Sequence, residues 1–156
     1  MEDFALHRNI YITPILWIEK VVTMGTTKPE RVGVLKVGRY IVIDEEPCKI
    51  IAYSTSAPGK HGAAKARIDA KGIFDDQKRS IIKPVAAKDP IPIIDKASGM
   101  VTAIMGSTVQ IMDLNSYEYF DLPLTDDIEG ELTDGVQVEY METMGRMKIL
   151  RVKGSS

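Results

Sequence analysis

Cysteine and histidine are almost missing from this sequence. Cys48 is its one cysteine, and His7 and His61 are its only histidines. A single cysteine excludes an internal disulfide framework and fits a reducing compartment. Two histidines and one cysteine cannot assemble a Cys/His metal site within one chain. Long apolar runs are missing too: none approaches the ~20 residues that a membrane-spanning helix needs. The first residues, MEDFALHRNIYITPILWIEKVV, put acids where a signal peptide is basic and offer no small-residue cleavage site. The expectation is a cytoplasmic protein with no membrane partner, no metal and no bound cofactor. No convergent acid–base constellation is present either, so the chain does not read as an enzyme.

Helical periodicity is equally scarce, and what is present is β pattern. Tyr40–Ile43 and Cys48–Tyr53 are short β-branched runs joined by the turn DEEP, a hairpin signal. AAKARIDAKGIF and KRSIIKPV read as two further strands. Pro84 to Pro92 holds three prolines in nine positions, a composition that stiffens linkers and is excluded from central strands. The domain boundary is therefore placed there. Beyond it, IPIIDKASGMVTAIMG reads as two strands around a Ser98-Gly99 turn. TVQIMDL and YEYFDLPL flank Asn115-Ser116, and GVQVEYMETMGRMKILRVKG forms a last hairpin around Met144-Gly145. The acidic stretch TDDIEGELTDG is expected to be a solvated loop or at most a helical turn. The fold class is all-β: a small barrel over residues 24–83, then a C-terminal five-stranded closed barrel of the OB type over residues 84–156. Residues 1–23 stand apart, either as a peripheral extension or as sequence upstream of a start at Met24.

The charge is divided along the same line. Residues 1–23, 24–83 and 84–156 carry net charges of -1, +5 and -6. A basic block followed by an acidic one assigns any RNA partner to the first barrel. Within that block no acid occurs between Glu46 and Asp69, and the window SAPGKHGAAKAR supplies Lys60, His61, Lys65 and Arg67. A phosphate-binding loop would need glycine at position 54 and Ser or Thr at position 61, where Ser54 and His61 stand. The G-x-x-G clamp of KH domains joins two helices, whereas β pattern flanks this stretch. Two readings of the residues remain. One is an exposed hairpin loop whose lysine keeps an edge soluble. The other is a shaped tip, with Pro58 fixing φ and Gly59 and Gly62 relieving sterics, that presents Lys60 to another molecule.

SAPGKHGAAKARI, with LKVGRYIVID, IPIIDKASG, AIMGSTVQIMDLNSYE and VEYMETMGRMKILRV, resembles the hypusine-containing translation factor 5A family of archaea and eukaryotes. The likeness spans roughly residues 28–153, and it implies an N-terminal SH3-like barrel over residues 24–83 followed by a C-terminal OB-fold barrel over residues 84–156. Pro58 and Ala63 follow the archaeal form, where eukaryotic members usually have threonine and histidine. The resemblance implies that Lys60 is the residue modified by deoxyhypusine synthase, which transfers an aminobutyl group from spermidine. It implies that Pro58, Gly59, His61 and Gly62 present the tip, and that Lys60, Lys65 and Arg67 meet RNA. The implied partners are the ribosome, P-site tRNA and ribosomal RNA, and the implied role is promoting peptide-bond formation, passage through stalling sequences and termination. The alternative is a general RNA-binding OB-fold module whose loop lysine stays unmodified.

Overall fold

The computed structural model describes residues 26–57 and 62–154; residues 1–25, 58–61 and 155–156 lie outside the described residues. The expected N-terminal extension, residues 1–23, falls wholly outside them. The described chain is β throughout apart from one 3-10 turn, Val32–Val34. It divides into two compact units after Ile93.

In the first unit, β1 (Thr27–Arg31), β2 (Tyr40–Ile43), β3 (Glu46–Ser56), β4 (Lys65–Gly72), β5 (Lys78–Pro84) and β6 (Lys88–Pro92) make two sheets. The larger runs β2-β3-β4-β5, all antiparallel, and β1 pairs with β6. The β2–β3 hairpin turns on Asp44 and Glu45, at φ 52° and 64°. Both residues are left-handed, which matches the twist of a two-residue hairpin even without glycine. Along β4 the alternation is strict: Ala66, Ile68 and Ala70 point inward, and Lys65, Arg67 and Lys71 point out. With Val32, Leu35, Ile41, Ile43, Cys48 and Ile50 these inward residues form the core of the SH3-like barrel. Burial pushes the Cys48 thiol above its ordinary value, so the lone cysteine is a packing residue and a poor nucleophile.

The proline-rich stretch is where structure and sequence part. Residues 88–92 form β6, with Pro90 opposite Pro29 and Pro92 opposite Thr27, so residues 84–93 belong to the first unit. Proline is tolerated there because a two-stranded ladder leaves each strand an outer edge that needs no N–H donor.

The second unit contains β7 (Ile94–Met105), β8 (Thr108–Asp113), β9 (Tyr119–Pro123), β10 (Gln137–Thr143) and β11 (Arg146–Val152), in the order β11-β10-β7-β8-β9. The outermost strands β9 and β11 approach each other, closing the ring as an OB-fold barrel. Its core is Val101, Val109, Ile111, Leu122, Val138, Tyr140 and Ile149. Ser98-Gly99, expected to be a turn, instead lies inside the continuous strand β7. Gly99 is flanked there by Asp113 on β8 and Val138 on β10. A Cβ at Gly99 would sit 3.1 Å from Ile111 Cδ1 and 3.2 Å from the Met112 carbonyl oxygen. The glycine thus permits close packing of strands, not a reversal. Gly99→Val should destabilise this unit by about 1 to 3 kcal/mol through overpacking, read as a lower urea midpoint; an unchanged midpoint would remove that role.

The acidic stretch is a loop without a helix, but it is not simply solvated. Ile128 and Leu132 pack against the core, and Asp127 pairs with the buried Lys148 at 2.6 Å. The Glu129 backbone makes an isolated parallel β-bridge with Arg151. The loop's acidic side chains are exposed, while Ile128 and Leu132 are partly buried against the barrel core.

Candidate functional site

The β3–β4 hairpin carries the window singled out by its charge. Its strands pair from Cys48↔Gly72 to the last pair, Ser56↔Lys65. Residues 57–64 make the connection, so Lys60 falls near its middle. Pro58, Gly59, Lys60 and His61 lie outside the described residues, and the expected presentation of Lys60 therefore falls outside them as well. Gly62 and Ala63, where the chain re-enters, are exposed.

β3 is eleven residues long, and β2 covers only Glu46 to Lys49. The distal part of β3 therefore depends on β4, and β4 on β5, which runs alongside it up to Lys65↔Pro84. A bulge at Ile51 re-phases β3 between the Ile50↔Ala70 and Ala52↔Asp69 pairs. After it Tyr53 faces inward opposite Ile68, and its hydroxyl donates to the Val32 carbonyl at 3.1 Å. On the other side Val85 N–H donates to the Ala64 carbonyl at 2.9 Å, and Gly33 N–H donates to the Val85 carbonyl at 3.0 Å. These bonds fix both ends of the loop to the barrel.

The cations singled out beside Lys60 differ in their surroundings. Lys65 is exposed and has no ion pair among the described residues. Arg67, also exposed, lies 3.6 Å from Asp69, which closes the acid-free window from two residues downstream. Residues two apart on a strand share a face, so the spacing of Arg67 and Asp69 on β4 is the sequence signal of this pair. The Ser80 hydroxyl donates to the same carboxylate, and that bond, then Arg67, holds the Asp69 carboxyl below its usual range. An exposed pair of this kind is weak, and Arg67 remains available to another anion. Among the described residues no three His, Cys, Asp or Glu side chains converge on a possible metal position.

The first unit matches a family model described as "Translation initiation factor 5A-like, N-terminal" over residues 25–87. The second matches one described as "Eukaryotic elongation factor 5A hypusine, DNA-binding OB fold" over residues 93–153. Translation initiation factor 5A of Methanosphaera stadtmanae is 58% identical over 130 residues, covering 83% of this chain and 98% of that protein. The Pyrococcus horikoshii protein of the same name is 53% identical over 135 residues, covering 84% of this chain and 98% of that one. A solved structure described as eukaryotic translation initiation factor 5A from Methanococcus jannaschii superposes with a TM-score of 0.77 at 49% identity, covering 81% of this chain and 95% of that one. The chain belongs to the translation initiation factor 5A family, and its role is that of a translation factor.

Proposed function

We propose that this chain binds the ribosome beside the P-site tRNA and promotes peptide-bond formation through a hypusine or deoxyhypusine made from Lys60. The observation that carries the reading is the sequence Pro58-Gly59-Lys60-His61-Gly62 at the crossing of the β3–β4 hairpin, in a chain of this family. Deoxyhypusine synthase, acting in the cytoplasm, would transfer an aminobutyl group from spermidine to Lys60 Nζ. The chain is then the substrate of an enzyme and not itself one, and it carries no cofactor of its own. The attacking amine has to reach the synthase deprotonated, and a lysine between Gly59 and His61 on a connection of this length meets the steric part of that need. Pro58, Gly59, His61 and Gly62 would shape the tip.

The modified side chain is longer and carries a second cationic nitrogen, so its complement is RNA phosphate and 2′-hydroxyl. Lys65 and Arg67 point outward on the strand that leaves the loop, and they would follow nearby ribosomal RNA. Residues 84–156, at -6, supply little attraction of their own.

A translation reporter carrying a run of consecutive prolines tests this. Protein modified by the synthase should restore full-length product, whereas protein made in bacteria, which lack the synthase, should not. Equal rescue by both would contradict the role of the modification.

A further inference from the structure

Three lysines stand in lateral register on the outer face of the first unit's larger sheet. Lys49 on β3 is opposite Lys71 on β4, and Lys71 is opposite Lys78 on β5. All three are exposed, whereas Cys48, Ile50, Ala70 and Gly72 beside them are buried, so the row points away from the core. Tyr40 on β2 continues the row opposite Lys49. Side chains directly opposite on neighbouring strands lie ~5 Å apart at Cβ, and like charges placed so destabilise a sheet.

The fold does little to relieve this. Asp76 lies 3.3 Å from Lys71, in a pair exposed on both sides and hence weak. Lys49 and Lys78 form no ion pair among the described residues. Six residues along β4 from Lys71 is Lys65, ~20 Å away towards the loop. Between them Asp69 is the one acid on that face of β4; it engages Arg67 and Ser80 and attracts Lys78 only as its last and weakest electrostatic partner.

We propose that the Lys49–Lys71–Lys78 row is an RNA-backbone site that extends the contacts of Lys65 and Arg67 down the sheet. It rests on the RNA-directed part of the function above and not on the modification of Lys60. A polyanion laid across the row offsets the repulsion that the fold leaves in place. Phosphates suit it better than an acidic protein does, because the centres of protein interfaces are depleted in lysine and built on apolar anchors. Lysine is a point charge with rotatable donors, so the site holds phosphate without reading bases.

The test is binding of the full chain, made in bacteria, to a 20-nucleotide oligouridylate over a range of salt. Neutralising three phosphate contacts should lower the salt slope by about 2 and the affinity on the order of 10²-fold near 0.1 M salt. The variant is Lys49→Gln with Lys71→Gln and Lys78→Gln. It should melt no lower than the parent, because the like-charge pairs are gone. Lys88→Gln, an exposed change on β6, should leave the slope nearly unchanged. If the triple variant fails to fold, Lys49→Gln alone must lower the slope by about 0.7. An unchanged slope and affinity in a folded variant would overturn the proposal. So would a polyglutamate of matched length that binds as tightly and suffers the same loss, since the face would then serve an acidic protein. Because this protein carries plain lysine at position 60, neither outcome depends on the hypusine reading.

Discussion

Replacing Lys60 with arginine should abolish modification and the rescue of stalled translation, while thermal melting stays where it was. Arginine keeps the positive charge and most of the reach, so a lysine that acted only as a cation would tolerate the change. A guanidinium stays protonated and is not the amine nucleophile that accepts an aminobutyl group. The fold should not register the substitution, because the described strand pairing stops at Ser56↔Lys65 and position 60 falls in the connection beyond it. Lys65→Arg is the matched control. It preserves an outward charge on β4 and leaves the acceptor in place, so modification should proceed and rescue should persist. In the consecutive-proline reporter, Lys60→Arg should fall to the level without added factor. Wild-type rescue by Lys60→Arg, with an unchanged melt, would return the loop to a solubilising role.

The second large effect concerns stability and lies in the OB-fold barrel. Asp113 occupies the inward phase of β8, in step with the core residues Val109 and Ile111, yet it is a carboxylate and is buried. The Tyr140 hydroxyl donates to its Oδ2 at 2.6 Å, and the N–H groups of Asn115 and Ser116 donate to its Oδ1 at 2.8 and 2.7 Å. One side chain therefore joins β8 to β10 and holds the turn into β9. The Tyr140 bond first, then the Ser116 N–H, hold the Asp113 carboxyl at about 2, below its ordinary 3.8. Burial, and then the same carboxylate, push the Tyr140 phenol upward.

Asp113→Ala should cost about 3 kcal/mol, since it removes charge-assisted bonds and leaves a buried hydroxyl without its acceptor. Tyr140→Phe should cost less, about 1 to 2 kcal/mol, because the turn amides keep their acceptor. The pH dependence follows from the depressed carboxyl. Its contribution is fully present above the unfolded value of 3.8 and is lost as pH falls through about 2. Urea unfolding at neutral and acid pH reads both effects. The difference between wild type and Asp113→Ala should shrink across that interval. A constant difference, or an Asp113→Ala midpoint equal to wild type, would show that the carboxylate is not what ties the turn.

Most strands were legible because alternation and turn residues agree. DEEP and Met144-Gly145 mark hairpins that the structure contains, and the left-handed Asp44, Glu45 and Met144 show acidic and apolar residues filling positions that usually favour glycine. Two punctuation signals carried the wrong meaning for a physical reason. Glycine marks either a reversal or a close approach, and at Gly99 the neighbouring Ile111 side chain decides for approach. Proline argues against central strands but not against an outer ladder such as β1–β6. The buried Asp113 was visible only as a polar residue at a core phase of TVQIMDL, a signal that gains meaning once Tyr140 is known to reach it. The candidate loop stands out in the sequence as chemistry, an acid-free window around one lysine. The lysine row across three strands does not, because only the strand register brings Lys49, Lys71 and Lys78 together.

The function proposed for the loop requires Lys60 to be a modified residue, and the mass of the protein from its native host measures that directly. Intact mass, followed by fragmentation of the peptide that carries position 60, should show an added aminobutyl group on Lys60 Nζ, with or without one further oxygen. The same peptide from protein made in bacteria should show plain lysine. Plain lysine at position 60 in native, actively translating cells would contradict the account.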